Sequence, residues 1–193
     1  MAKMIFRTLE IMPFGTNCYI VAADQTRDGM VIDPAGDAPR IMNNIRELNL
    51  KITLIVVTHT HPDHTGAIGQ IAESTGAKVA VHTLEARNIR RTPDRLLQDN
   101  DILTVGDLTY HALHTPGHSP GGICIVGYGV VFSGDALFNM SIGRTDFPGG
   151  NHNLLISGIK GKLLVLPDQT LVLPGHGPRS TIGYEKRNNP FLP

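Results

Sequence analysis

The chain has 193 residues, enough for one domain with a sizeable core and short for two. Its 17 Lys and Arg balance 17 Asp and Glu, which excludes a global field that would gather nucleic acid or an anionic membrane surface. The opening MAKMIFRTLEIM lacks the continuous apolar stretch of a signal peptide and no later run reaches membrane-spanning length, so a soluble, cytoplasmic protein is expected.

In chain order, MIFRTLEI, NCYIVAA and GMVIDPAG read as short strands closed by Gly, Asp and Pro turn signals. A helix follows in DAPRIMNNIRELNL, where Asp37 can cap the start and Ile41, Ile45 and Leu48 form one apolar stripe. KITLIVVT is a β-branched run of the kind buried on both faces of a sheet, and it delivers the chain into His59. Beyond it, GAIGQIAESTG predicts a helix stopped by Gly76, AKVAVH a strand, and TLEARNIRR a short helix. The second half gives strands at LTYHAL, GGICIV, GVVFSG and TLVLPG, with a helix from about Asn151 to Leu163. Cys18 and Cys124 lie inside apolar runs and read as core cysteines in a reducing compartment, not as a disulfide framework. There is no internal repeat or low-complexity linker, and much of the Gly and Pro excess falls in loops after strands.

The chemistry is concentrated in THTHPDHTG, which holds His59, His61, Asp63 and His64 in six residues. In an extended or looping segment alternate side chains share a side, so His59, His61 and Asp63 are expected to converge while His64 turns to a neighbouring point. That arrangement suits two metal ions. Three more ligand-type residues stand in loops just after predicted strands, each preceded by glycine: His118 after Gly117, Asp135 after Gly134 and His176 after Gly175. Five imidazoles favour zinc, and two carboxylates admit iron or manganese. His82, His111, His114 and His152 read as packed or solvated residues, with His114 placed to brace the loop of His118.

The series THTHPDH, HTPGHSPGG, FSGDALF and LPGHG resembles the motifs of the metallo-β-lactamase superfamily, and SIGRTDFPGG with GPRSTIGYEKRNNPFLP is similar to its short glyoxalase II-like (hydroxyacylglutathione hydrolase-like) members. The resemblance covers nearly the whole chain. It implies an α/β fold, a four-layer αββα sandwich spanning residues 1–193 as one domain, without the separate C-terminal helical domain that supplies much of the glutathione site in glyoxalase II. It further implies that His59, His61 and His118 hold a first metal, that Asp63, His64 and His176 hold a second, and that Asp135 bridges them, with Asp63 and Asp135 counted as catalytic. Asp33 in VIDPAG would brace the histidine loop, and Arg144 would bind a substrate carboxylate in a fork.

The activity so implied is hydrolysis of a small thioester of glutathione or a related thiol by a binuclear-metal-bound hydroxide, with no nucleic acid or membrane partner. Two rivals stand beside it. The persulfide dioxygenases share the motif series and would hold one Fe(II) on His59, His118 and Asp135, and a non-enzymatic metal-binding domain could retain the same fold.

Overall fold

The computed structural model describes residues 3–192. The first sheet is built from β1 (Met4–Ile11), β2 (Thr16–Ala23), β3 (Asp28–Ile32), β4 (Lys51–Val57), β5 (Lys78–His82) and β6 (Arg95–Leu97), side by side in chain order. β1 to β3 pair antiparallel, whereas β3 to β6 pair parallel. The parallel half takes its crossovers from α1 (Ala38–Glu47), the single turn α2 (Pro62–Thr65) and α3 (Ile68–Thr75).

The second sheet runs in the order β14 (Ser180–Thr181), β13 (Leu171–Pro174), β10 (Val130–Gly134), β9 (Ile123–Gly127), β8 (Leu108–His114) and β7 (Asp101–Val105). Only β10 and β13 are parallel there. Between them the chain makes a ribbon of β11 (Leu137–Phe138) and β12 (Ser141–Ile142), then α4 (His152–Gly158), and it ends in α5 (Ile182–Asn188).

Side-chain alternation makes this four layers. In β4, Leu54 and Val56 point between the sheets, among Tyr19, Met30, Tyr110 and Phe132, while Ile52, Ile55 and Val57 face α1 and α3. Ile52 and Ile55 share a face although three residues apart because the register against β3 slips between Gly29 and Met30, leaving one extra residue on β4. On the far side of the second sheet, Val131 and Val172 pack against Leu155, Ile159 and Ile182. Phe132 is fully buried with its ring 5.1 Å from that of Tyr19, and such a side chain stabilises the fold by about 1.5–3 kcal/mol through burial. The result is the αββα sandwich that the motif resemblance implies.

Most of the predicted elements are present. Asp37 caps α1 by accepting from the Arg40 amide, and Gly76 ends α3 at φ 70°. The helix predicted from Asn151 begins at His152 and passes into a π turn over Ile159–Leu163. The predicted helix TLEARNIRR is corrected: only Thr83–Glu85 turns, as a 3₁₀ segment, and the chain then loops to β6. Leu84 is exposed there, so the segment has no continuous apolar stripe to bury as a helix would need. The short strands β6 and β7 and the helix α5 carry too little periodicity to be read from sequence.

Two sets of bonds fasten the sheets together at the end where the parallel strands finish. Tyr19 Oη donates to the Pro174 carbonyl (2.7 Å) and Asn17 Nδ2 to the carbonyls of Pro174 (3.0 Å) and Gly177 (2.9 Å). The Ile123 amide donates to the Thr58 carbonyl at 2.9 Å, tying the start of β9 to the end of β4. No helix among the described residues is long and apolar enough to cross a membrane.

Candidate metal centre

Four strands finish at this edge, and each delivers a donor just beyond its last residue: His59 after β4, His118 in the β8–β9 loop, Asp135 after β10 and His176 after β13. The loop after β4 does not stay extended. His61 has β-region angles and Pro62, whose fixed φ suits a first helical position, starts the turn of α2. The expectation that Asp63 converges with His59 and His61 is thereby corrected: the turn swings Asp63 and His64 together towards His176.

Three overlapping triads result. His59, His61 and His118 form one, Asp63, His64 and His176 another, and His59, His64 and Asp135 join them, with the donor atoms of each triad within 4.8 Å of one another. His118 Nε2 lies 2.9 Å from His61 Nδ1. His176 Nε2 lies 3.1 Å from Asp63 Oδ2 and 3.3 Å from His64 Nε2. Asp135 reaches both sets: Oδ2 is 3.6 Å from His118 Nε2, 3.6 Å from His176 Nε2 and 4.0 Å from His59 Nε2, and Oδ1 is 3.5 Å from His64 Nε2. Donors about 2.0–2.2 Å from a tetrahedral ion stand roughly 3.3–3.6 Å apart, so these spacings fit divalent ions such as zinc with little adjustment.

Four of the five rings are held from behind. Nδ1 of His59 lies 3.2 Å from Thr58 Oγ1, that of His64 3.0 Å from Asp33 Oδ2, that of His118 2.8 Å from the Arg144 carbonyl and that of His176 3.2 Å from the Phe14 carbonyl. An Nδ1–H donated outward leaves the Nε2 lone pair aimed at the centre. Asp33, fully buried at φ 50°, also accepts from the Thr58 amide and hydroxyl, each at 2.7 Å, so it braces the histidine loop as expected. Glycine is required at 175, because a Cβ there would overlap Asp135 Oδ1 and come within 2.8 Å of His64 Cε1.

The electrostatics match a site built for cations. Burial, reinforced by the surrounding imidazoles, drives the His59 pKa well below 6.5, and burial with His118 lowers that of His61. The hydrogen bond from His176 holds Asp63 well below the usual carboxylate range, and His176 is raised in return. For His64 burial opposes the charge, but Asp33 and Asp135 outweigh it and raise the pKa to about 10. Those protons occupy positions that a metal cation would take over. The direct test of fit is that His59 Nε2 and Asp135 Oδ1 are buried with no hydrogen-bond partner, although buried polar atoms are otherwise almost always satisfied. A bound metal would supply what both lack.

The remaining sequence candidates fall outside the centre. His114 stacks on His82 at 4.1 Å and bonds the Pro120 carbonyl, while His111 and His152 are exposed. Both cysteines are buried and unpaired, and burial pushes Cys124 up to about 12, which removes them as nucleophiles. Arg144 is exposed, its guanidinium gripping Asp146 through Nε (3.0 Å) and Nη2 (2.8 Å) over the Phe147 ring. Phe147 itself meets the His61 ring at 5.0 Å.

Sequence reasoning missed Glu85. This buried carboxylate accepts from the Thr60 hydroxyl, between the two ligands His59 and His61, and from the Gly121 amide (2.9 Å), beyond His118. Burial opposes its charge, but those bonds hold the carboxyl below its usual range. A glutamate in an exposed-looking turn offers no sequence signal for that role.

The sequence profile of the metallo-beta-lactamase superfamily matches residues 11–176. Hydroxyacylglutathione hydrolase GloC of Haemophilus influenzae is 37% identical, over 95% of this chain and 97% of its own. Among solved structures, the BLEG-1 B3 metallo-beta-lactamase superposes with a TM-score of 0.92 at 37% identity, covering 97% of this chain and 99% of that one. ETHE1 from Myxococcus xanthus superposes with a TM-score of 0.89 at 36% identity, covering 96% and 83%.

Proposed function

The chain belongs to the metallo-beta-lactamase superfamily and is a metal-dependent hydrolase, and from that premise we propose that it cleaves thioesters in the manner of a hydroxyacylglutathione hydrolase. The observation that carries this reading is the pair of complete triads joined by Asp135, with buried atoms on both His59 and Asp135 left for a metal. His59, His61 and His118 would hold one divalent ion and Asp63, His64 and His176 a second, with Asp135 between them. Zinc is the proposed metal, since five of the seven donors are imidazoles. When bound, such a pair supplies Lewis acidity at a carbonyl and a hydroxide nucleophile near neutral pH.

The chain's own residues do the rest. The outward bonds of His59, His64, His118 and His176 fix the tautomers, and Asp135 holds the two halves of the centre in register. Apart from Asp33, which is buried behind His64, no lysine, tyrosine or further acid is bonded to the donor residues among the described residues, so no side chain stands ready to protonate a leaving amine. A thiol with a pKa of about 8.5 leaves as thiolate without such help, which favours a thioester over an amide. The likeness to ETHE1 and the approach of His59 and His118 to one oxygen of Asp135 support a second reading, a mononuclear Fe(II) persulfide dioxygenase.

Elemental analysis and thioester hydrolysis on one sample of protein purified with its metal retained decide between them. About two metals per chain with thioester turnover is the expected result. One iron per chain, oxygen uptake with a persulfide and no thioester turnover would overturn it in favour of the dioxygenase. Turnover of β-lactams alone would place the chain with the lactamases, and no turnover of any of these would leave a metal-binding domain.

A further inference from the structure

A cavity of about 600 Å³ lies between α3 and the 86–94 loop, against the outer side of the metal loop. Its walls include Thr60 and Pro62, so it begins one residue from the donors His61 and Asp63 on either side of Pro62. The volume falls within the range of small-molecule sites. Its charged lining is Arg90, Arg91 and Glu73, with Ile89 supplying an apolar patch.

None of these charges is well used within the fold. Arg90 and Glu73 are exposed, and their side chains have no hydrogen bond or ion pair among the described residues. Arg91 approaches Asp94 at 3.5 Å through Nη2, while its Nε is buried without an acceptor. The contrast is with Arg144, whose fork is already filled by Asp146. A carboxylate arriving at Arg144 must displace one that is tethered two residues away. One arriving at Arg90 displaces only water.

We propose that this cavity, with Arg90 and Arg91 facing Glu73 beside Pro62, binds the amino-acid end of the substrate's thiol carrier. An amino-acid terminus carries a carboxylate for the arginines and an ammonium for Glu73, a pairing that a phosphate-ended carrier lacks. The carrier would run over Pro62, which stands between the donors His61 and Asp63, to bring its sulfur to the metal centre, and an extended tripeptide reaches about 10 Å. The inference rests on the thioester reading and names the class of thiol: a small peptide carrying both charges at its end.

The test is calorimetric binding of S-hexylglutathione, a thioether that cannot be hydrolysed, to the metal-loaded protein and to its Arg90→Ala and Glu73→Gln variants. Each variant is expected to bind about fivefold to tenfold more weakly, whereas Arg46→Ala, which removes a charge bonded only to Asn43 on α1, binds as the parent does. In parallel, Arg90→Ala is expected to lower the preference for a glutathione thioester over the matching N-acetylcysteamine thioester by a similar factor, through KM. Binding of S-hexylglutathione that responds to Arg90 and Glu73, without turnover of any thioester, would keep the cavity assignment and refute the hydrolase. Thioester turnover with Arg90→Ala and Glu73→Gln binding within twofold of the parent would refute the cavity assignment and keep the hydrolase. Absence of binding to the parent protein, or tighter binding of a coenzyme A thioether, would also overturn it.

Discussion

Asp33→Asn is expected to damage the metal centre from behind without touching a donor. Oδ1 of Asp33 accepts the Thr58 amide, and Oδ2 accepts the Thr58 hydroxyl and faces His64 Nδ1 at 3.0 Å. Asparagine offers one oxygen and one NH2, so one side of this arrangement fails in either orientation. With the NH2 towards the Thr58 amide, two donors oppose each other and a buried N–H is left without an acceptor. With the NH2 towards His64, the imidazole must accept at Nδ1, and its proton moves to Nε2, where it points at Asp63 and Asp135. A buried unsatisfied group costs about 1–3 kcal/mol, and loss of a partner behind a ligand costs roughly 10–100-fold in metal affinity. In a chain of this size that corresponds to a Tm lower by about 3–10 °C for the metal-free protein. Thermal unfolding in chelator and competition for zinc against a chromophoric chelator measure the two effects. A metal affinity within twofold of the parent and an unchanged Tm would refute the role given to Asp33.

Gly175→Ala is expected to abolish binding of at least one metal while the chain remains folded, because the new Cβ overlaps Asp135 Oδ1 and comes within 2.8 Å of His64 Cε1, so that two of the candidate donors must shift. Metal counting by elemental analysis checks it, and two tightly held metals would contradict it. The metal-free protein is expected to lose stability as pH rises from 7 to 8.5. His64 keeps its proton up to about 10 when folded but releases it near 6.5 when unfolded, so in this window the unfolded state binds fewer protons. His64 alone gives a slope of about 1.4 kcal/mol per pH unit, and the raised His176 acts in the same direction. Urea unfolding in chelator at three pH values reads the slope. A flat or rising profile would show that His64 is not held as a cation, and metal-loaded protein, in which His64 must be neutral, is expected to lack the slope.

The donor residues were legible because their chemistry and their local setting agree: His59, His118, Asp135 and His176 each follow a strand, and the last three each follow a glycine. The layers were less legible. The continuous β-branched run KITLIVVT marked β4 as buried on both faces, yet the αββα arrangement came from motif resemblance, since the order β14–β13–β10–β9–β8–β7 depends on long-range pairing. Grouping of the donors also escaped the periodicity argument. An extended chain would have put Asp63 with His59, and one helical turn nucleated at Pro62 moved it to His176. The 86–94 loop was hidden for the opposite reason: its sequence has helix-forming residues, but Leu84 is turned to solvent and the segment does not settle as a helix. The cavity that it closes against α3 exists only because it stays a loop.

The centre is held unevenly. His59, His64, His118 and His176 each have a fixed partner behind the ring, so their donor atoms are positioned before any ion arrives, and the ordering cost is met in folding. His61 differs: its Nδ1 is turned inward to His118, and among the described residues its ring has no other hydrogen bond. Its ring rests against Phe147 and is half-buried. The first triad therefore has two fixed donors and one adjustable one, and the adjustable one adjoins Pro62, over which the proposed carrier passes. A ligand ring that can shift by a fraction of an ångström at the mouth would let the carbonyl of the proposed thioester approach from that side, while the six other candidate donors would keep their spacing.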